Sequence, residues 1–140
     1  VVLPYHLDAV KQIAGRLALN YVADMDDRVA QIVAERTRIS DALADMGATV
    51  IPSGANFVLF RTDGHDGRAV WQGLVDRSVL IRDCSGWPRL SNCLRVTVGT
   101  PEENSEFLTA LGDVLAVANP GSASATATAT PTLNENGADQ

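Results

Sequence analysis

A chain of 140 residues, 46% hydrophobic and 20% charged, carries enough apolar material for the core of one domain. Its formal net charge of −6, with 11 basic residues spread thinly, offers no basic patch to a phosphate backbone, so nucleic acid is not an expected partner. No apolar run is long enough to cross a bilayer and no charged-then-apolar stretch opens the sequence, so neither a membrane span nor a secretion signal is expected.

In chain order, Leu7, Val10, Ile13, Ala14, Leu17 and Ala18 recur every three or four residues and predict a short amphipathic helix after Pro4. A longer helix follows, with Val22, Met25, Val29, Ile32, Val33, Ile39, Leu43 and Met46 along one stripe. Asp24, Asp26 and Asp27 suit its positive end and Gly47 its stop. The period then changes to two: Thr49 to Ile51 and Asn56 to Arg61 predict strands separated by the turn Pro52-Ser53-Gly54. Asp66 is placed to cap a helix that buries Val70, Trp71, Leu74 and Val75. Two further strands are predicted at Val79 to Ile81 and Leu94 to Val98, joined by a loop with Gly86, Trp87 and Pro88. Thr100, Pro101 and Glu103 spell a capping box for a closing helix whose inner face is Phe107, Leu108, Leu111, Val114 and Leu115. From Asn119 to Gln140 the sequence is mostly Pro, Gly, Ser, Ala and Thr, and predicts a disordered tail. The expected class is α+β: a long connecting helix and a small, mostly antiparallel sheet covered by helices.

Little chemistry is written in the residues themselves. Cys84 and Cys93 are too few for a disulfide framework and read as free thiols in a reducing cytoplasm. His6 and His65 are too far apart for a metal-ligand spacing. There is no Gly-rich phosphate loop and no nucleophile–base set, and Lys11, the only lysine, falls on the polar side of its helix. The informative polar residues are arginines on strands. Alternation puts Arg95 and Thr97 on one face and Leu94, Val96 and Val98 on the other, while Arg82 ends the preceding strand. Two readings stay open: a two-arginine site for carboxylate or phosphate, or local ion pairs such as Arg82 with Asp83. Asn56 is either a turn residue or a third polar group of the same site.

Five phrases stand in order: Leu3-Pro4-Tyr5-His6-Leu7, Val33-Ala34-Glu35-Arg36, Ser53 to Phe60 (SGANFVLF), Val79 to Asp83 (VLIRD), and Cys93 to Asn104 (CLRVTVGTPEEN). Together they resemble the C-terminal part of fold-type I aminotransferases, specifically the histidinol-phosphate aminotransferase family. The resemblance implies that residues 1–20 end the large domain and enter the connecting helix, that 21–118 form the small domain, and that 119–140 are a low-complexity tail. It implies that Arg95 holds the anionic end of the substrate, that Arg82 assists with phosphate or carboxylate, and that Asn56 lines the same cleft. The implied reaction is transamination between histidinol phosphate and 2-oxoglutarate, giving imidazole-acetol phosphate and glutamate. The implied setting is a cytoplasmic homodimer of histidine biosynthesis. The implied cofactor, pyridoxal phosphate, is bound in this family by a large-domain Ser-x-x-Lys segment that these 140 residues do not contain. The chain opens on Val1 without an initiator methionine, which fits a piece of a longer enzyme that is inactive by itself. The alternative is a stand-alone α+β ligand-binding or oligomerisation module, or the small domain of another fold-type I aminotransferase or decarboxylase. One departure from the family is Ser78, where a glycine usually relaxes the helix-to-strand turn.

Overall fold

A computed structural model describes residues 7–118. The expected tail and the opening Val1–His6, including Pro4, lie outside the described residues.

Helix α1 (Ala9–Ala18) starts where the Asp8 carboxylate accepts the Lys11 amide, and a 3-10 turn, Leu19–Tyr21, leads into α2 (Val22–Asp45). Strands β1 (Thr49–Ile51) and β2 (Phe57–Arg61) follow, then α3 (Gly67–Val75), β3 (Arg82–Asp83), β4 (Cys93–Thr97) and α4 (Pro101–Ala118). The four strands form one antiparallel sheet in the order β1-β2-β4-β3. The α+β class expected from the sequence is the one observed.

Alternation along the strands divides the sheet into two faces. Val58, Phe60, Leu94 and Val96 point into the core, where they meet Ile39 and Leu43 of α2, Val70 and Leu74 of α3, and Phe107, Leu111 and Val114 of α4. Phe57, Leu59, Arg95 and Thr97 point the other way, and the described helices do not cover them. The expected cover of helices is therefore one-sided.

The stripe of α2 is buried only in part. Ile39 and Leu43 are fully buried, whereas Val22, Met25, Val29, Val33 and Met46 are exposed. A helix of 24 residues spans about 36 Å. A five-residue strand spans about 17 Å, so α2 overruns the sheet and only its C-terminal part reaches the core. Every residue of α1 is exposed for the same want of a neighbour among the described residues.

The strand expected at Val79 to Ile81 begins instead at Arg82. The reason is local. The Val79 amide is taken by the Leu74 carbonyl at the end of α3, and the Ile81 carbonyl accepts a 2.9 Å bond from the Trp71 indole. With those groups tied to α3, the ladder to β4 starts only at Arg82. Ser78 stands at φ 63, the left-handed conformation that a helix C-terminus favours and only glycine adopts without strain.

Candidate anion site on the open sheet face

Arg82 and Arg95 are direct cross-strand partners of β3 and β4. Such partners lie roughly 4.5–5.5 Å apart at Cα and share a face, and like charges so placed repel. Neither arginine is ion-paired among the described residues. The local pair of Arg82 with Asp83, one of the two readings left open by the sequence, does not form, because neighbours on a strand point to opposite faces; Asp83 binds Arg68 at 3.1 Å. Beside the arginines a cleft of about 390 Å³ opens between Leu80-Ile81-Arg82 and Arg95-Val96-Thr97, where the chain has not yet joined the ladder.

Each guanidinium lies against an aromatic ring. Arg95 Cζ is 4.9 Å from the centre of Phe57, and Arg82 Cζ is 5.6 Å from the centre of Trp87. Arg95 Nε is buried and has no hydrogen-bond partner in the protein. A buried charged donor without an acceptor is costly, and an anion in the cleft is the kind of group that would satisfy it.

The strand that carries Arg95 is held firmly from behind. Thr100 and Glu103 cap α4 reciprocally: the Thr100 amide donates to Glu103 Oε2 at 2.8 Å, and the Glu103 amide donates to Thr100 Oγ1 at 3.3 Å. The buried Asn104 accepts the Gly99 amide and donates to the Gly99 carbonyl and to Glu35. Glu35 is gripped in turn by Arg38, whose nearest contact is 2.6 Å and which also donates to the Pro101 carbonyl. The Arg38 guanidinium, and then Asn104, hold the Glu35 carboxyl below the usual glutamate range. The turn before β2 is fixed likewise, because Arg36 donates to the Ala55 carbonyl and Ser53 Oγ joins the Ala55 amide to the Phe57 carbonyl.

The three residues singled out by sequence are not equally placed. Arg82 and Arg95 converge on one cleft. Asn56 stands just before β2 and is exposed, its carbonyl accepting the Val98 amide, and it does not line that cleft. Phe57 and Trp87 were not singled out: their proximity to the arginines depends on the β2–β4 register and on the fold of the 85–92 loop, which leave no periodic signal. A second hollow, about 320 Å³, lies between α3 and α4 beside His65, Asp66 and Arg77 and shares no residue with the arginine site.

The described residues hold no group of three or more His, Cys, Asp or Glu side chains suited to a metal. They do not suit pyridoxal phosphate as a resident group either. The one amine able to form an imine, Lys11, is exposed on α1 and paired with Asp8 at 3.1 Å, and it is not among the residues of the arginine cleft. Among the described residues no helix is long and apolar enough to cross a membrane.

Fold and site together define an α+β domain with helices on one sheet face and an opposed pair of arginines on the other. Residues 3–111 match the family described as aminotransferase class I and II, and the chain belongs to that family. The histidinol-phosphate aminotransferase of Mycobacterium ulcerans is 46% identical over 114 residues, which is 81% of this chain and 28% of that protein. The histidinol-phosphate aminotransferase of Corynebacterium glutamicum is 43% identical over 113 residues, 81% of this chain and 30% of that protein. The chain thus spans under a third of the length of these curated relatives. Among solved structures, the histidinol-phosphate aminotransferase of Clostridium acetobutylicum superposes with a TM-score of 0.73 at 25% identity, covering 81% of this chain and 35% of that one. The enzyme of Sinorhizobium meliloti, solved in complex with pyridoxal-5'-phosphate, gives a TM-score of 0.65 at 29% identity, covering 71% of this chain and 28% of that one.

Proposed function

We propose that this chain is the small-domain portion of a pyridoxal-phosphate enzyme that transfers an amino group from histidinol phosphate to 2-oxoglutarate, and that it supplies the clamp for the substrates' anionic ends. The observation that carries the reading is the opposition of Arg82 and Arg95 with no acid between them. Both substrates end in an anion, and the planar guanidinium fork matches carboxylate and phosphate alike. Arg95 is the principal clamp, its fork backed by Phe57. Arg82 assists, and Asn56, exposed just before β2, stands apart from the arginine cleft. The relatives named histidinol-phosphate aminotransferase support the choice of amino donor.

On this reading pyridoxal phosphate, which supplies the electron sink for transamination when bound, is held by residues outside these 140. This chain's part is mechanical: Arg95 binds the anion, fixes the distance of the reacting carbon from the catalytic groups, and helps close the site against water. The domain division follows, with 1–20 ending the large domain, 21–118 forming the small domain and 119–140 a tail. The 3-10 break at Leu19–Tyr21 supports the first boundary. The complete enzyme is then a cytoplasmic homodimer of histidine biosynthesis, and the 140 residues alone are inactive.

The test is a transamination assay on a protein that joins this chain to its large domain. Histidinol phosphate should be the preferred donor with 2-oxoglutarate as acceptor. Turnover of aromatic or aliphatic amino acids with none of histidinol phosphate would contradict the assignment.

A further inference from the structure

The loop from Ser85 to Asn92, between β3 and β4, takes no part in the sheet, yet its course is fixed. The Trp87 amide donates to the Cys84 carbonyl, the Leu90 amide to the Trp87 carbonyl and the Cys93 amide to the Leu90 carbonyl, at 2.9–3.1 Å. The loop is also pinned to the start of α3, where the Gly67 amide donates to Asn92 Oδ1 at 3.2 Å. Backbone meets backbone there, since a Cβ on Gly67 would lie 2.9 Å from Asn92 Cα. Arg89 and Asn92 hold left-handed conformations, at φ 65 and 57. A short loop that keeps two such residues has a demanding geometry.

What that geometry places is Trp87. Trp87 is 49% exposed and lies outside the hydrophobic core, so packing does not account for its position. Its ring faces the guanidinium of Arg82. Arg82 is exposed, stands on the edge strand and sits opposite a like charge, so repulsion alone would turn it away from Arg95 into solvent. A cation–π contact at an exposed site biases such a side chain by roughly two- to fivefold.

We propose that Trp87 is a positioning and specificity residue: its indole keeps the Arg82 guanidinium at the cleft beside Arg95, so that both meet one phosphate group. The inference rests on the anion-clamp reading above and extends it to the kind of anion. A carboxylate has two oxygens and one charge, and one bidentate arginine, Arg95, satisfies it. A phosphate monoester has three terminal oxygens and up to two charges, and it has room for a second fork. Trp87 therefore favours phosphate-ended substrates and is indifferent to carboxylate ends.

The experiment titrates the 140-residue chain with inorganic phosphate and, separately, with acetate, following the side-chain Nε–Hε NMR signals of Arg82 and Arg95. The variants are Trp87→Ala, Trp87→Phe and Arg95→Ala, each first checked for a native amide spectrum. In the unmodified chain phosphate should move both arginine signals and acetate chiefly that of Arg95. Trp87→Ala should weaken phosphate binding by roughly two- to tenfold and leave acetate binding unchanged. Trp87→Phe should restore most of the loss, because it keeps a ring face. Equal phosphate affinity in the unmodified chain and Trp87→Ala would overturn the role of Trp87 and leave the clamp standing. Equal loss for phosphate and acetate in Trp87→Ala would also overturn it, since that is the mark of a merely structural residue. If neither arginine signal responds to either anion in the unmodified chain, the clamp fails and this inference with it.

Discussion

The Asn104 side-chain amide donates a 2.7 Å hydrogen bond to the Glu35 carboxylate, joining the middle of α2 to the first turn of α4 across 69 positions of sequence. Asn104 is 2% exposed and satisfies both backbone groups of Gly99 as well, so it is the keystone of the junction that follows the Arg95 strand. Asn104→Ala would strip the Gly99 amide, the Gly99 carbonyl and the Glu35 carboxylate of their shared partner. A loss of about 1–3 kcal/mol in urea unfolding is expected, and an unchanged midpoint would show that the junction is held otherwise.

The same cluster predicts an acid dependence. Arg38, and then Asn104, depress the Glu35 pKa from its ordinary value of 4.5. Asp63 is depressed too, by the Thr49 hydroxyl first and Arg61 second. A carboxylate with a depressed folded pKa contributes stability that is fully present above its unfolded value and is lost as pH falls through the folded one. Thermal midpoints should hold steady above about pH 5 and fall progressively as the pH drops below the ordinary carboxylate range, about 4. Glu35→Gln should lower the neutral plateau and make the acid limb shallower. Parallel acid limbs for the two proteins would remove Glu35 from the account.

Ser78 is strained where glycine would not be. Its φ of 63 costs an L-residue about 1–2 kcal/mol, while glycine adds about 0.5–1 kcal/mol of unfolded-chain entropy. Relief exceeds the entropic loss, so Ser78→Gly should gain about 0.5–1 kcal/mol by chemical denaturation. A destabilised variant would mean that the serine side chain supports the turn.

Gly67→Ala should do the reverse. The new Cβ would meet the Asn92 backbone at 2.9 Å, with no flexible side chain to give way. Overpacking of this kind costs about 1–3 kcal/mol and should shift the amide resonances of residues 85–92. A native-like loop spectrum at unchanged stability would show that the contact relaxes freely.

Local signals in the sequence were the legible ones. The Thr100–Glu103 box, the Asp66 cap and the alternation of β4 each depend on residues within a few positions, and each is as read, with Asp66 accepting the Arg68 and Ala69 amides. Val79-Leu80-Ile81, apolar and with two β-branched residues, reads as the start of β3. What competes with the ladder there is Trp71, ten positions away, reaching the Ile81 carbonyl. The stripe of α2 was legible as helix but not as half-uncovered, because its length relative to the sheet is a tertiary fact. At the site, alternation alone put Arg95 on the open face. Its opposition to Arg82 needed the strand register, and the ring contacts of Phe57 and Trp87 needed the folded loop.

Steady-state kinetics of Arg95→Ala, in a protein that includes the large domain, tests the clamp most directly. The variant removes a charge-assisted fork from a closing cleft, a contact of about 1.5–3 kcal/mol, so kcat/KM should fall by roughly ten- to a hundredfold for histidinol phosphate and 2-oxoglutarate alike. Bound cofactor should stay near normal, and Arg95→Lys should recover only part, since an ammonium keeps the charge and loses the fork. Unchanged kinetics for both substrates, with no more than a small loss of stability, would contradict the assignment of Arg95 as the anion clamp.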